Sequence, residues 1–223
     1  MTNYVRLKKM LYMVSLASIS IVLALIEIPW FIPTGPFAGF LKLDFSEVAI
    51  LVSLLVLGTK ETIGVVLIRT VARRLFRGFE IGDVVGELLA MSASFAIIFG
   101  YNLAKRILKN KEKPLLYEVS VNGTHLSGKE WVVYTSVVSA SIVTFMFLIN
   151  FLFATPIYLS LFGVTNSGAI RFDVFSFVND SPFTFTSFLW ANFASYSPFN
   201  LVKGILVTII FLSIKPRLKY LEL

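Results

Sequence analysis

The sequence predicts an all-α protein: a six-transmembrane-helix bundle with a lid-like loop after helix 1. Three observations predict it. Of 223 residues, 57% are hydrophobic and 15% charged, against about 45–50% and about 25% in a soluble domain, and the mean hydropathy is +0.81. Six apolar segments are separated by polar or Gly/Pro-containing breaks. Lysine and arginine are spread unevenly between successive breaks, as membrane topology requires. The whole chain, 1–223, reads as a single integral membrane domain with no room for a second soluble one. It contains no GxxxxGK[ST] motif, so energy for any transport comes from elsewhere. It has no cysteine, which excludes disulfides, iron–sulfur clusters and thiolate zinc sites. The net charge of +7 is read as topology and not as nucleic-acid binding.

The first apolar segment covers residues 11–32. It ends at Glu27, Pro29 and Trp30 without a small-residue cleavage site, so it is read as a retained helix, with Trp30 and Phe31 as interfacial anchors. Helices 2 and 3, at 47–57 and 60–76, are separated by Gly58-Thr59. Both are short of the roughly 20 residues an independent span needs, and both suit packing inside a bundle. Helix 4, at 83–108, carries the small-residue run Ala90-Met-Ser-Ala-Ser-Phe-Ala, which permits close helix contact. Helix 5 covers 131–161 with Pro156 near its far end, and helix 6 runs from Pro198 to about residue 214.

An even number of spans puts both termini on one side. Cations crowd the segments before helix 1, between helices 4 and 5 and after helix 6, so that side is the cytoplasm and the protein a multi-pass component of the cell membrane. Arg73, Arg74 and Arg77 run against the trend and are read as a local ion-pair cluster, with Glu80 and Asp83 nearby in sequence and Glu87 as a partner for an arginine of helix 3. Between helices 4 and 5, Asn122-Gly123 suggests a small hairpin. The loop after helix 1, 33–47, mixes Gly, Pro and aromatics. It is too apolar for a solvated linker, and its prolines and glycines preclude a helix, so it should fold back as a lid. Asp44 or Ser46 then caps helix 2, with Glu47 in the first turn. The loop at 162–197, rich in Phe, Ser, Thr and Asn, should pack over the outer face.

Lys203, inside an apolar helix, is the first place to look for a ligand. A cation there costs about 2.5–3.5 kcal/mol on insertion, and the cost persists where the group meets a partner, a cavity or a ligand. Asn200 stands three residues earlier on the same face, Gly204 leaves room for a helix or a ligand to approach, and Asn150 sits within helix 5. Two carboxamides and an ammonium can read a flat heteroaromatic whose imide edge alternates N–H and C=O groups, with Phe and Tyr rings sandwiching the plane. The competing reading has the asparagines as interhelical glue and Lys203 snorkelling or paired with a carboxylate. Catalysis finds little support: the only histidine, His125, falls in a polar loop, and no acid pair has ligand spacing.

Phe40-Leu-Lys-Leu-Asp-Phe-Ser-Glu-Val after helix 1, Leu67-Ile-Arg-Thr in helix 3, the stretch from Asn150 to Tyr158, and the pair Asn200 and Lys203 together resemble one family: the substrate-binding S components of energy-coupling factor (ECF) transporters, in their riboflavin-binding branch. The resemblance implies a six-helix bundle with cytoplasmic termini and a flavin pocket near the outer side. It implies that Asn150, Asn200 and Lys203 hydrogen-bond the vitamin while Thr34, Gly39, Phe40 and Leu41 belong to the lid. It implies riboflavin as transported ligand, with FMN as a second candidate, and no cofactor of the protein's own. The implied partners are a transmembrane coupling protein and two cytoplasmic ATPases, in the lipid bilayer and without nucleic acid. Docking would use small residues of helix 1, here Ser15, Ala17, Ser18 and Ser20, with Val14 standing where alanine is the pattern. The alternatives are an S component for a different vitamin, an intramembrane enzyme, or a structural subunit without ligand.

Overall fold

The computed structural model describes residues 3–110, 113–117 and 126–218. The hairpin expected around Asn122-Gly123 and the histidine His125 lie outside the described residues.

The chain is a bundle of helical rods: α1 (Asn3–Leu25), α2 (Ser46–Val56), α3 (Thr59–Arg77), α4 (Ile81–Ile107), α5 (Gly128–Ile149) continued through a π turn (Asn150–Ala154) into α6 (Thr155–Leu161), a short α7 (Val174–Asn179), and α8 (Phe185–Leu218). Among the described residues, four rods are long and apolar enough to cross a membrane: α1, α4, the α5–α6 rod and α8. The expectation of six such helices is therefore met only in part. With 11 residues, α2 rises only about 16 Å, and α3 carries Lys60, Glu61, Arg69, Arg73, Arg74 and Arg77. Both survive in an apolar bundle because their neighbours shield them. All of α2 except Val52 is buried, and α3 turns Thr62, Val65, Val66, Arg69 and Arg73 inward at helical spacing.

Only a narrow stripe of α1 is buried: Leu16, Ala17, Ser20 and Ala24. Of the small residues expected to face a docking partner, Ala17 and Ser20 are thus spent inside the bundle, and the Ser20 hydroxyl donates to the Ser46 carbonyl at 3.1 Å. Ser15 and Ser18 stay exposed.

The rod α5 packs against α4 on one side and α8 on the other. Small residues set the spacing. A Cβ added at Gly204 would lie 2.8 Å from the Ser139 Cα, and one at Gly100 would lie 2.9 Å from the Val138 Cα. The close approach at Gly204 is therefore to another helix.

The start of α1 lies at Asn3, eight residues before the expected residue 11; other boundaries that differ from the sequence reading involve proline. α1 stops at Leu25, and Ile28–Pro29 instead pairs antiparallel with Lys42–Leu43, forming strands β1 and β2. Pro198 lies inside α8, which begins thirteen residues earlier at Phe185, so the loop expected over 162–197 ends before it. Proline ends helices in water, but in an apolar bundle its missing hydrogen bond is tolerated when neighbouring groups serve the freed carbonyl. Pro156 is accommodated differently. The π turn immediately before it, in which the Thr155 N–H donates to the Asn150 carbonyl, widens the helix where the ring would meet the preceding turn.

The first turns of α1, α3 and α5 and the last turns of α4 and α8 lie at one end. There Lys9 pairs with Glu61, the Thr59 hydroxyl donates to the Asn102 carbonyl oxygen at 3.2 Å, and the Lys215 ammonium sits 5.4 Å from the Tyr134 ring. The main core fills this end and the middle. A second, smaller core of Phe37, Phe151, Leu159, Val174, Phe177, Phe188 and Tyr196 fills the other.

Candidate ligand-binding site

The segment between α1 and α2 folds back over α8, as a lid-like loop would. Phe37 inserts into the second core, its ring centroid 6.2 Å from those of Phe183 and Phe188 and 6.4 Å from that of Tyr196. Its backbone N–H donates to the Ser195 hydroxyl at 3.1 Å, and the Thr34 hydroxyl donates to the Ser195 carbonyl at 3.4 Å. The Trp30 N–H donates to the Leu41 carbonyl at 2.9 Å, closing the β1–β2 hairpin.

Beneath this segment lies a cavity of 380 Å³, within the range of small-molecule sites, about 300–1,000 Å³. It opens at the end opposite the chain termini. Phe37, Leu41 and Asp44 line it from the α1–α2 segment, Gly86 and Ala90 from α4, Asn150, Thr155 and Tyr158 from the α5–α6 rod, and Tyr196, Phe199, Asn200 and Lys203 from α8.

Asn150, Asn200 and Lys203, singled out in the sequence, thus border one space. The two amides are held alike. The Asn150 Nδ2 donates to the Met146 carbonyl at 2.7 Å, and the Asn200 Nδ2 to the Tyr196 carbonyl at 2.8 Å. Each carboxamide has two N–H donors and a carbonyl oxygen, so each keeps one N–H and its oxygen for another partner. The π turn places Asn150 at the start of its widened turn, a local geometry common at functional sites.

Lys203 is placed differently from the expectation that its ammonium meets a guest and not an acid. Its Nζ is 3.2 Å from Asp44 Oδ2 and 3.2 Å from Glu47 Oε1. The carboxylate partner, the competing sequence reading, is real. The cause is burial: Lys203 is 7% exposed and Glu47 fully buried, and charges so far from water must be paired. The ammonium has three donors. Asp44 accepts one of them, Glu47 adds an ion pair, and the residue still lines the cavity. The N-cap of α2 is Phe45, not Asp44 or Ser46 as the sequence suggested, but Asp44 Oδ1 accepts from the Ser46 N–H at 3.0 Å and so serves the first free N–H of that helix from one position further out.

Of the residues expected in the lid, Leu41 lines the cavity. Thr34 holds the segment to Ser195 instead, Gly39 is exposed with open space around it, and Phe40 ends a short 3₁₀ turn, Ala38–Phe40. Sequence reasoning missed Arg69, fully buried, which donates to the Ser46 hydroxyl at 3.4 Å and the Ala90 carbonyl at 3.2 Å. The signal was there: a cation in the apolar run Val65–Ile68 followed by Arg69 meets the same test that picked out Lys203. It also missed the buried network in which the Thr155 hydroxyl lies 2.8 Å from Asn192 Oδ1 and 3.1 Å from the Tyr196 hydroxyl.

The mouth of the cavity is charged. Glu87 pairs with Arg73 at 3.4 Å and Arg74 at 3.6 Å, and Glu27 takes Arg77 and Lys42, both at 2.7 Å. The expected local ion-pair cluster is present: Glu87 pairs with arginines of α3 as expected, and Glu27 supplies the second acid where Glu80 and Asp83 were the neighbours in sequence.

The fold has a counterpart among solved structures: an S component of a bacterial ECF transporter superposes with a TM-score of 0.61 at 23% identity, covering 96% of each chain. Two curated proteins align along nearly the whole length. The riboflavin transporter RibU of Streptococcus thermophilus is 26% identical over 212 residues, 95% of this chain and 83% of that one. The riboflavin transporter FmnP of Bacillus subtilis is 25% identical over 214 residues, 96% of this chain and 93% of that one. The model of the family described as the substrate-specific component of ECF transporters matches residues 8–214. A bundle of this shape, enclosing a cavity under a folded-back loop and matched over that span, belongs to the family of ECF transporter substrate-specific components.

Proposed function

We propose that this chain is the riboflavin-specific component of an ECF transporter: it captures the vitamin at its outer face and delivers it inward through a complex driven by ATP hydrolysis in other subunits. The observation that carries the reading is the pair of back-bonded carboxamides, Asn150 and Asn200, bordering one cavity with aromatic residues in its wall. The isoalloxazine of riboflavin offers an imide edge to such amides and an apolar, flat face to Phe37, Tyr196 and Phe199. Two relatives named as riboflavin transporters support it. In this reading Lys203 holds Asp44 and Glu47 and turns its third N–H to the ligand, Leu41 covers the ring from the lid, and Thr34, Gly39 and Phe40 form the rest of that lid.

The same reading makes all six rods membrane-embedded, with both termini in the cytoplasm. In that orientation the termini-bearing end carries Lys8, Lys9, Lys60, Lys105, Arg106 and Lys109, as the positive-inside rule demands. The partners are a membrane coupling protein and two ATPases, and the exposed face of α1 is available to the first. FMN is a second ligand worth weighing, because Arg73, Arg74 and Arg77 line the same cavity.

The visible spectrum of the protein purified from riboflavin-supplied cells tests the proposal. Bound flavin absorbs near the blue and makes the sample yellow, and mass spectrometry of the released molecule separates riboflavin from FMN. A colourless protein that gains thermal stability with a different vitamin points to another member of the same family.

A further inference from the structure

We propose that the groove at the C-terminal end of α4 is a binding site for one anionic phospholipid, with the headgroup phosphate at Arg106 and Lys109 and an acyl chain along Phe95, Phe99 and Leu103. This groove is separate from the flavin cavity and at the opposite end of the bundle. It encloses 800 Å³. Its walls divide by chemistry. Phe95, Phe99 and Leu103, at spacings of four residues, form one outward stripe of α4 and are 37%, 51% and 36% exposed. One turn further on, Lys105, Arg106 and Lys109 gather at the rim. Among the described residues lining it there is no acid. The flavin cavity differs in this respect, since its lining cations meet Glu27, Asp44, Asp83 and Glu87.

A second observation sits at the rim itself. The Asn110 N–H donates to the Lys105 carbonyl at 2.9 Å, the six-to-one bond of a helix end closed by a left-handed residue. That residue is Lys109, with φ of 52°, the one non-glycine among the described residues in this conformation. Glycine is the usual occupant because side chains are strained there. The chain accepts a less favourable helix end and gains a cation at the groove. A basic rim above an apolar stripe, at the level where α4 leaves the apolar layer, matches a phosphate tethered to an acyl chain. A free anion lacks the chain, and a zwitterionic headgroup brings its own cation to a rim that already carries Lys105, Arg106 and Lys109.

Native mass spectrometry of the full chain released from mixed micelles tests the site, using phosphatidylglycerol and phosphatidylcholine with the same acyl chains. One phosphatidylglycerol should be retained per protein, at least tenfold in preference to phosphatidylcholine. Arg106→Gln with Lys109→Gln should abolish the preference. Lys109→Gly should weaken it several-fold while melting no lower than the parent, since glycine suits the left-handed turn, so loss of lipid is not loss of fold. Riboflavin binding on the same samples should not change. Equal retention of the two lipids, as a protein partner docking in the groove would give, overturns the proposal. So does undiminished retention in the double variant, or displacement by soluble glycerol phosphate at equal concentration.

Discussion

Asn150 and Asn200 each commit one amide N–H to the carbonyl four residues back, and that bond fixes where the other N–H and the oxygen point. Replacing either with alanine should weaken riboflavin binding by about 1–3 kcal/mol, roughly 5- to 150-fold, since the ligand's imide then faces no partner. Quenching of flavin fluorescence measures it. Lys203→Met should act on the fold first. It strands Asp44 and Glu47 as buried anions, and breaking such a pair costs about 3–5 kcal/mol, read as a lowered melting temperature in detergent with or without flavin. Which residues mattered was largely legible: an amide or a cation in an apolar helix announces itself by its cost. The partners were not. Asp44 is 159 positions from Lys203, and no local pattern connects them, so the carboxylate partner of the ammonium had to come from the fold. Arg69 was legible by the same rule: it stands in the quoted Leu67-Ile-Arg-Thr stretch, to which the sequence reading gave no separate role for the cation.

Ser195 joins the segment between α1 and α2 to α8: its hydroxyl accepts from the Phe37 N–H and donates to the Ala191 carbonyl at 2.7 Å. Ser195→Ala leaves a buried N–H without an acceptor, at a cost of about 1–3 kcal/mol. Stopped-flow measurements should show faster flavin release with little change in capture. Beside the lid, the turn between α6 and α8 rests on two aspartates. Asp180 is held below the usual aspartate range by the Ser167 hydroxyl first and by Arg171, and Asp173 by the Ser176 hydroxyl and the N-terminal N–H groups of α7. Both carboxyls are depressed on folding, so their support is complete above the unfolded value of about 3.9 and drains as pH falls through the lower folded values. Limited proteolysis of this turn should be flat from pH 7 to 5 and rise only in stronger acid. Helices α2 to α4 were legible to within about two residues because their breaks carry turn chemistry. α8 was not, because Pro198 marks a helix start in water and only a mid-helix residue where neighbours supply the missing contacts. The π turn at Asn150 left no sequence signal beyond Pro156.

The whole molecule divides its work between two ends. The main core gives the termini-bearing end its rigidity, with α5 drawn close to α4 and α8 at Gly100 and Gly204. The opposite end packs mainly phenylalanines around a cavity roofed by one loop. Composition alone established the membrane class. It did not establish how many rods cross, because a short or charged helix is carried by its neighbours and not by its own hydropathy. The most direct measurement of the central claim is a riboflavin titration of the purified chain, followed by fluorescence, beside the Asn150→Ala, Asn200→Ala double variant. The account predicts one saturable site per protein, lost in a double variant that melts like its parent. Saturable binding of equal strength in both proteins, or none in either, would contradict it.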